Sequence, residues 1–561
     1  MKKIYAYLIT LCLSGITAAS SQTINTYAGT GASGSTGDGG PATAATFGIC
    51  HGMATDTYGN LYIADAVSHK IRKVTPGGVI STLVGTGVSS YNGEGIAIDL
   101  AQINNPYDLT ITPSGDIYFC ETAGNRVRRI TEGVVRTVAG DGVSGFTGDG
   151  GPATAARVNG PSGITTDAGG NVYFSDGGNN RIRKISTSGD ITTIAGTGTT
   201  TFTGSGLAAT ATPLNHPNFL CLDASGNLYA SINGYNRIIK IDAIADTVTV
   251  VAGNGAAAAS GDGGPATAAG IGAPAGLTFD RNGNLFIVAN QPYNNNVRMV
   301  APDGTISTFT GTGATTSTGD GGPAVAASVN RPVDIVIDDC DRIYVSEGNG
   351  RRVRSILYDN RAPLFANGAS LTVTMCATTA DSTTTDTTIS TGIAIIDTDR
   401  CQTETWTIIH PPAHGTLTGT PAPATATGTL ITPAGFTYSP AVGYTGWDTV
   451  IVQISDGTLS DTFTYYAHIL PCTLGMPGSP SGQSNLSIHP NPGNGIFTIT
   501  MPAAYRDRTD ITITDITGKT VKTFSFEPRG TEHFHFTAPP GTYILLARQN
   551  DMRWVQRLIV N

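Results

Sequence analysis

The chain has 561 residues, of which 72 are Gly and only 13% are charged, and its formal net charge is −9. That length holds several domains. Sparse charge with abundant Gly, Thr and Ala points to an all-β exported protein rather than a helical cytosolic one, and mild, dispersed acidity excludes a nucleic-acid partner, which requires a basic stripe.

The N-terminus reads MKKIYAYLITLCLSGITAASSQ. Lys2 and Lys3 precede an apolar run from Ile4 to Ile16, and Ala18-Ala19-Ser20 offers small residues for cleavage. Residues 1–22 therefore read as a secretory signal peptide. The run is too short to span a bilayer. Cys12 follows Leu11 rather than a small residue, which argues against a lipoprotein anchor. No later segment is long and apolar enough to cross a membrane.

Beyond the leader lie Cys50, Cys120, Cys221, Cys340, Cys376, Cys401 and Cys472. The odd number leaves at least one thiol unpaired. The first four fall at unmatched positions of a repeat and read as small buried hydrophobes. One disulfide is expected among Cys376, Cys401 and Cys472. Without a Cys-x-x-Cys, no structural zinc is expected.

From residue 23 to residue 358 the chain repeats. The stretch GITTDAGGNVYFSDGGNNRIRKISTSGDITTIAG, from Gly163, holds four short apolar runs separated by AGGN, GGNN and TSGD. Those dipeptides serve tight turns, and four antiparallel strands make one propeller blade. Six second strands are countable, at Asn60, Asp116, Asn171, Asn227, Asn284 and Arg342. The sixth unit lacks a fourth strand. INTYAG, from Ile24, matches the fourth-strand pattern and is expected to close the ring beside Arg352–Leu357, which removes an open sheet edge.

GDGGPATAA begins at Gly37, Gly148 and Gly261, and GDGGPAVAA begins at Gly319. Each stands between a fourth strand and the next first strand. The glycines permit positive φ, and Pro41, Pro152, Pro265 and Pro323 suit the first position of a helical turn. The competing role is calcium binding by Asp38, Asp149, Asp262 and Asp320, although one carboxylate per loop makes a poor oxygen cage unless backbone carbonyls contribute. No other cofactor is expected.

Units of the form GNVYFSDGGNNRIRKI resemble NHL repeats, and the resemblance implies a six-bladed NHL β-propeller with units lengthened by the Gly-Asp loop. The second strands close on Asp65, Glu121, Asp176, Ile232, Ala289 and Glu347, and the bases that follow are Lys70, Arg126, Arg181, Arg237, Asn296 and Arg352. These read as structural ion pairs or turn hydrogen bonds. Tyr91, Phe146 and Phe202 precede the Gly-Asp turns of blades two to four, where they form a docking edge or pack the loops onto their own blades. His51, Tyr107, Asp108, His216, Asn218, Arg331 and Asp334 are expected near the axis. No repeated His/Glu set accompanies them, so neither a catalytic residue nor a metal ligand is assigned. Tyr62, Tyr118, Tyr173, Tyr229, Phe286 and Tyr344 read as blade packing.

Residues 361–472 carry AHGTLTG and GFTYSPAVGYTGWDTVIVQISDG, which resemble Ig/cadherin-like modules, with Trp406 and Trp447 expected in a sandwich core. Asp397, Asp399 and Asp456 are the calcium candidates there. Residues 473–484 read as a flexible linker. Residues 485–561, with HPNPGNG, DITGKTV and GTYIL, resemble the C-terminal sorting domain of type IX secretion substrates. That implies a Gram-negative exporter and a partner in its secretion machinery. The whole reads as a secreted or outer-surface protein presenting a propeller to a protein or glycan. The alternative is a lyase or hydrolase acting through the axial funnel.

Overall fold

The computed structural model describes residues 22–357, apart from 202–203 and 291–293, and most strand residues between 363 and 560. The proposed leader (1–22, of which only residue 22 is described) and the linker (473–484) fall outside those residues. The chain divides into two compact units, Met1–Met375 with Asp381–Ile469, and Cys376–Ala380 with Leu470–Asn561.

Alternation of apolar and polar residues, interrupted by Gly- and Asn-rich turns, builds six separate antiparallel blade sheets, four of them four-stranded and those of blades two and six extended by a short fifth strand. Blade three is representative, with strands Pro161–Thr166, Val172–Asp176, Arg181–Ile185 and Ile191–Ala195 in that order. In blade six, Pro332–Ile337, Arg342–Glu347 and Arg352–Leu357 are completed by the N-terminal strand Thr23–Ala28. The closing register pairs Ile24 with Ile356, Asn25 with Ser355 and Thr26 with Arg354. Ring closure therefore stands where the repeat pattern places it. First strands of neighbouring blades lie side by side around the axis.

A residue in the left-handed region ends each turn between second and third strands and clasps the next blade. Asn125, Asn180, Asn236 and Asn295 have φ of 45–54°. Their Oδ1 atoms accept the backbone N–H of Gly160, His216, Ala273 and Arg331 at 2.9–3.2 Å. His69 Nδ1 does the same for Asn105, and Arg351 Nε donates to Gly48 O to complete the circuit. Asn tolerates this conformation and carries the acceptor.

The Gly-Asp loops take a longer path than a return from rim to axis. Gly39 N–H donates to Ile80 O and Ile80 N–H to Gly40 O, so the first loop runs along the outer strand of blade one. Equivalent pairs bind the loops at Gly150 and Gly263 to Ile191 and Ile306. The excursion covers an edge that otherwise exposes unpaired backbone groups. Pro41 is extended (φ −61°, ψ 131°) and precedes the single 3₁₀ turn Ala42–Ala44 instead of occupying its first position. The same holds for Pro152, Pro265 and Pro323.

Two cysteine expectations change. Cys340 bonds Cys401, so the disulfide joins the turn between the first two strands of blade six to the following module. Cys340 is no buried hydrophobe, whereas Cys50 and Cys120 are buried free thiols and Cys221 is half-buried. Cys472 and the Cys376 side chain lie outside the described residues.

In that following module the main sheet contains Thr403–His410, Gly446–Ser455 and Ser460–Pro471. Trp406 is 8% exposed and fills the core as expected. Trp447 is 55% exposed and does not, because Asp448, Val450, Val452 and Ile454 take the inward parity of its strand. Its ring stacks on His468 at 4.2 Å. Asp399 lies outside the described residues. In the C-terminal unit, Thr509–Asp515, Thr520–Phe526, Gly541–Gln549 and Met552–Val560 form one sheet. Ile511, Ile513, Leu545 and Leu558 are buried in its core.

Candidate functional site on the propeller loop face

The connections from fourth to first strands and from second to third strands share one face. Their most regular feature is a buried arginine inside five of the six blades. Arg72, Arg128, Arg183, Arg298 and Arg354 are 0–1% exposed. Arg183 shows the pattern: its guanidinium meets Asp176 at 3.3 Å and Asp149, from the Gly-Asp loop, at 2.7 Å. Asp149 also accepts from Thr193 of the fourth strand. Arg128 lies between Glu121 and Glu94, and Arg354 between Glu347 and Asp320. Arg72 pairs with Asp38, and Arg298 with Asp262.

These contacts occupy the loop carboxylates that were calcium candidates. They also revise the expected ion pairs. Asp65, Glu121, Asp176 and Glu347 do not pair with Lys70, Arg126, Arg181 and Arg352. Asp65 accepts the backbone N–H of Gly48 and Ile49, Glu121 that of Asn104, and Asp176 that of Asn159. The turn hydrogen bonds were thus one of the two expected alternatives. Burial raises all four carboxyls, opposed by these hydrogen bonds and the neighbouring guanidinium. The sequence carried a signal for the arginine sites. Blade four holds Ser205, Ile232 and Ile239 where blade three has Asp149, Asp176 and Arg183, so acids and base vanish together.

Arg126 and Arg181 bond carbonyl oxygens instead and support the aromatic positions. The Arg126 guanidinium lies 3.9 Å from the Tyr91 ring centroid, with Arg128 at 5.1 Å. Arg181 and Arg183 flank Phe146 at 3.8 and 4.9 Å. Tyr91 Oη donates to Glu94 at 2.7 Å. Each ring thus sits on its own blade through cation–π contact. Both remain partly open, at 40% and 39% exposure. Phe202 lies outside the described residues.

Around the axis, position three of each first strand reads Gly52, Asp108, Gly163, Phe219, Gly276 and Asp334. Asp108 accepts from Ile164 N–H of blade three, and Asp334 from Met53 N–H of blade one. A Cβ at Gly52 would strike the Asp108 carboxylate, and one at Gly276 the Asp334 carboxylate. The two carboxyls feel one another in a dry setting. Burial lifts Asp334 to about 7, and burial with the Asp334 charge raises Asp108 well above the ordinary range. Both line an axial cavity of about 220 Å³, together with Phe219, Cys221, Thr110, Thr165 and Thr278.

One residue nearer the loop face, His51 and Tyr107 meet edge-on at 4.5 Å, and Tyr107 lies 5.6 Å from Phe219. Burial raises the Tyr107 phenol, opposed by the neighbouring Asn218 side chain and the Arg331 charge. Burial, aided by the Arg331 charge, lowers His51 to about 4, so its imidazole is neutral at pH 7. His51 Nδ1 and Asn218 Oδ1 are buried polar atoms without a partner among the described residues. The structure therefore gathers His51, Tyr107, Asn218 and Arg331 in one cluster and Asp108 with Asp334 in a second. His216 joins neither by any bond of its ring; it is exposed and contributes its backbone N–H to the Asn180 clasp. Among the described residues no group of three His, Cys, Asp or Glu is arranged to hold a metal ion.

Comparison with known proteins supports these architectures. Residues 487–561 match the secretion system C-terminal sorting domain, and residues 141–216 match the teneurin NHL domain. The chain is 30% identical over 230 residues to human Teneurin-4, covering 36% of this chain and 8% of that protein. It is 25% identical over 258 residues to the chloroplastic protein SUPPRESSOR OF QUENCHING 1 of Arabidopsis thaliana, covering 43% and 24%. The chain thus spans under a tenth of the teneurin it matches. Among solved structures, a Bacteroides thetaiotaomicron protein of unknown function aligns with TM-score 0.45 and 17% identity, covering 60% of this chain and 75% of that one. An auxiliary nutrient binding protein of the same organism aligns with TM-score 0.43 and 16% identity, covering 60% and 77%. The chain carries an NHL-type propeller and a type IX sorting domain, and the latter directs it to the cell surface or the medium. No described helix is long and apolar enough to cross a membrane.

Proposed function

We propose that the exported propeller is a binding module whose loop face holds a protein or glycan, between the axial cluster of His51, Tyr107, Asn218 and Arg331 and the outer rings of Tyr91 and Phe146. The observation that carries this reading is the pair of arginine-supported rings on adjacent blades. Each is held by two guanidiniums yet leaves about two-fifths of its surface open. An aromatic anchor already fixed in one pose loses little entropy on binding, which is the economy interface anchors exploit. The sorting domain supports the reading by delivering the propeller outside the cell.

The test is a Tyr91→Ala/Phe146→Ala double variant of the full chain. Retention on a glycan array and on outer-surface protein from neighbouring cells should fall at least tenfold, with an unchanged melting temperature. Undiminished retention removes the two rings from the site.

A second reading, hydrolase or lyase chemistry through the axis, draws on the Asp108–Asp334 pair. A carboxyl poised near neutrality suits general acid–base work. Asp334→Asn should then abolish turnover of a lactone or glycoside panel; equal turnover by the variant ends that reading.

A further inference from the structure

We propose that the corner where blade six meets blade one, formed by Arg331 and Arg351 beside His51, binds the carboxylate of an acidic sugar residue. This rests on the axial loop-face reading above and names its ligand class.

The charge balance of the face motivates it. The loop acids are committed inward: Asp38, Glu94, Asp149, Asp262 and Asp320 each meet a buried arginine. Asp141 meets Arg157. Arg331 and Arg351 receive no such compensation. Arg331 Nη1 donates to Asn349 Oδ1 at 3.4 Å, and Arg351 Nε donates to Gly48 O at 3.0 Å. Both acceptors are neutral, and among the described residues neither guanidinium forms an ion pair. Cationic charge is thus left at one corner of a chain whose net charge is −9.

Both arginines flank one turn: Gly348 N–H donates to Arg331 O and Gly350 N–H to Asn330 O, while Arg351 Nε reaches Gly48 O, three residues before His51. The Arg331 field reaches His51 and Tyr107, and the Arg351 field reaches Cys50, next to His51 in the first strand of blade one. Arg331 is held in place by its backbone, with φ at 53° and its N–H clasped by Asn295. A planar guanidinium presents paired donors that fit a carboxylate in a fork.

What surrounds the pair selects among anions. The neighbouring groups are a neutral imidazole, a phenol and two amides, Asn218 and Asn349, with the Asp65 carboxyl held on the Gly48 and Ile49 N–H groups. Among the described residues, His51 Nδ1 and Asn218 Oδ1 have no partner. Neutral donors and acceptors beside a cationic corner suit a ring that carries one carboxylate and several hydroxyls. A second carboxylate would be repelled by the Asp65 and Glu347 carboxyls, whose fields also reach Cys50.

The experiment is calorimetric titration of the full chain with trigalacturonate, with the neutral trisaccharide galactotriose, and with N-acetylated triglutamate. Trigalacturonate should bind, and its affinity should fall at least tenfold in Arg331→Gln and on raising salt from 50 to 300 mM, with an unchanged melting temperature. Arg351→Gln provides the same reading should Arg331→Gln fail to fold. Absence of trigalacturonate binding, or binding untouched by either substitution, overturns the proposal. Equal binding of triglutamate overturns the sugar assignment. Binding of galactotriose that is lost in Asn218→Ala but kept in Arg331→Gln overturns the charge argument while leaving the axial site in place.

Discussion

Asp334, on the first strand of blade six, accepts the backbone N–H of Met53, on the first strand of blade one, at 2.7 Å across 281 residues of chain. This bond seals the ring at the axis, while Ile24 and Ile356 seal it in the outer half of blade six. Asp108 makes the matching bond from blade two to Ile164 of blade three. The other position-three residues are glycines or Phe219, so only these two junctions are tied by carboxylates.

The pH dependence of that seal has a definite sign. The folded carboxyl of Asp334 sits at about 7, above its unfolded value near 3.9. Folding therefore favours its protonated form. Its contribution is complete below about pH 4 and is lost as pH rises through 7. Asp334→Asn removes that loss. The stability of the variant minus that of the parent should increase from pH 4 to pH 7.5 in urea titrations. A difference independent of pH would show that the carboxyl titrates as an ordinary exposed one.

The arginine sites should behave as units. Arg183→Ile strands Asp176, a fully buried carboxylate, and should cost about 3–5 kcal/mol. Blade four already shows the neutral solution. The triple variant Asp149→Ser/Asp176→Ile/Arg183→Ile should recover most of the loss, because no uncompensated charge remains. Melting curves of the single and triple variants check this; a triple variant less stable than the single one contradicts it.

Ring closure should depend on one apolar side chain. Ile24 is fully buried in the core that runs through blades four to six. Ile24→Ala should destabilise the propeller by about 2–5 kcal/mol through lost burial and the cavity left behind. Hydrogen exchange should then rise first in Arg352–Leu357, its pairing partner. Protection there equal to the parent would place the weakest seam elsewhere.

The disulfide gives a chemical prediction. Peptide mapping without reduction should recover Cys340 linked to Cys401. Closing a separation of 61 residues is worth about 4 kcal/mol in the chain-entropy account. The Cys340→Ser/Cys401→Ser variant should therefore melt lower than the parent, and dithiothreitol should shift the parent alone. Recovery of Cys401 joined to Cys376 or Cys472 would refute the pairing.

Much of this architecture is readable from local chemistry. Turn dipeptides such as GGNN, strand parity and the displaced fourth strand at Ile24 are properties of neighbouring residues, and they suffice for six blades and their closure. The exposure of Trp447 was also legible: the parity that buries Val450 and Val452 turns residue 447 outward. The partners of Arg183 were not. Asp176 precedes it by seven residues and meets it from the adjacent strand, whereas Asp149 precedes it by 34 and meets it only because the Gly-Asp loop runs along the outer strand. The disulfide is hidden for the same reason, since Cys340 sits in a turn that the repeat places inside a blade while its partner belongs to another module.

Sequence alone determined what depends on φ, ψ and side-chain alternation over a few residues: strand, turn, repeat number and register. The tertiary structure alone decided which charges neutralise one another and which remain. A Coulomb interaction depends on separation and burial in space, and the path of each loop, not its composition, sets both. Hence Arg183 is compensated and Arg331, among the described residues, meets no carboxylate, although an asparagine stands within three residues before each.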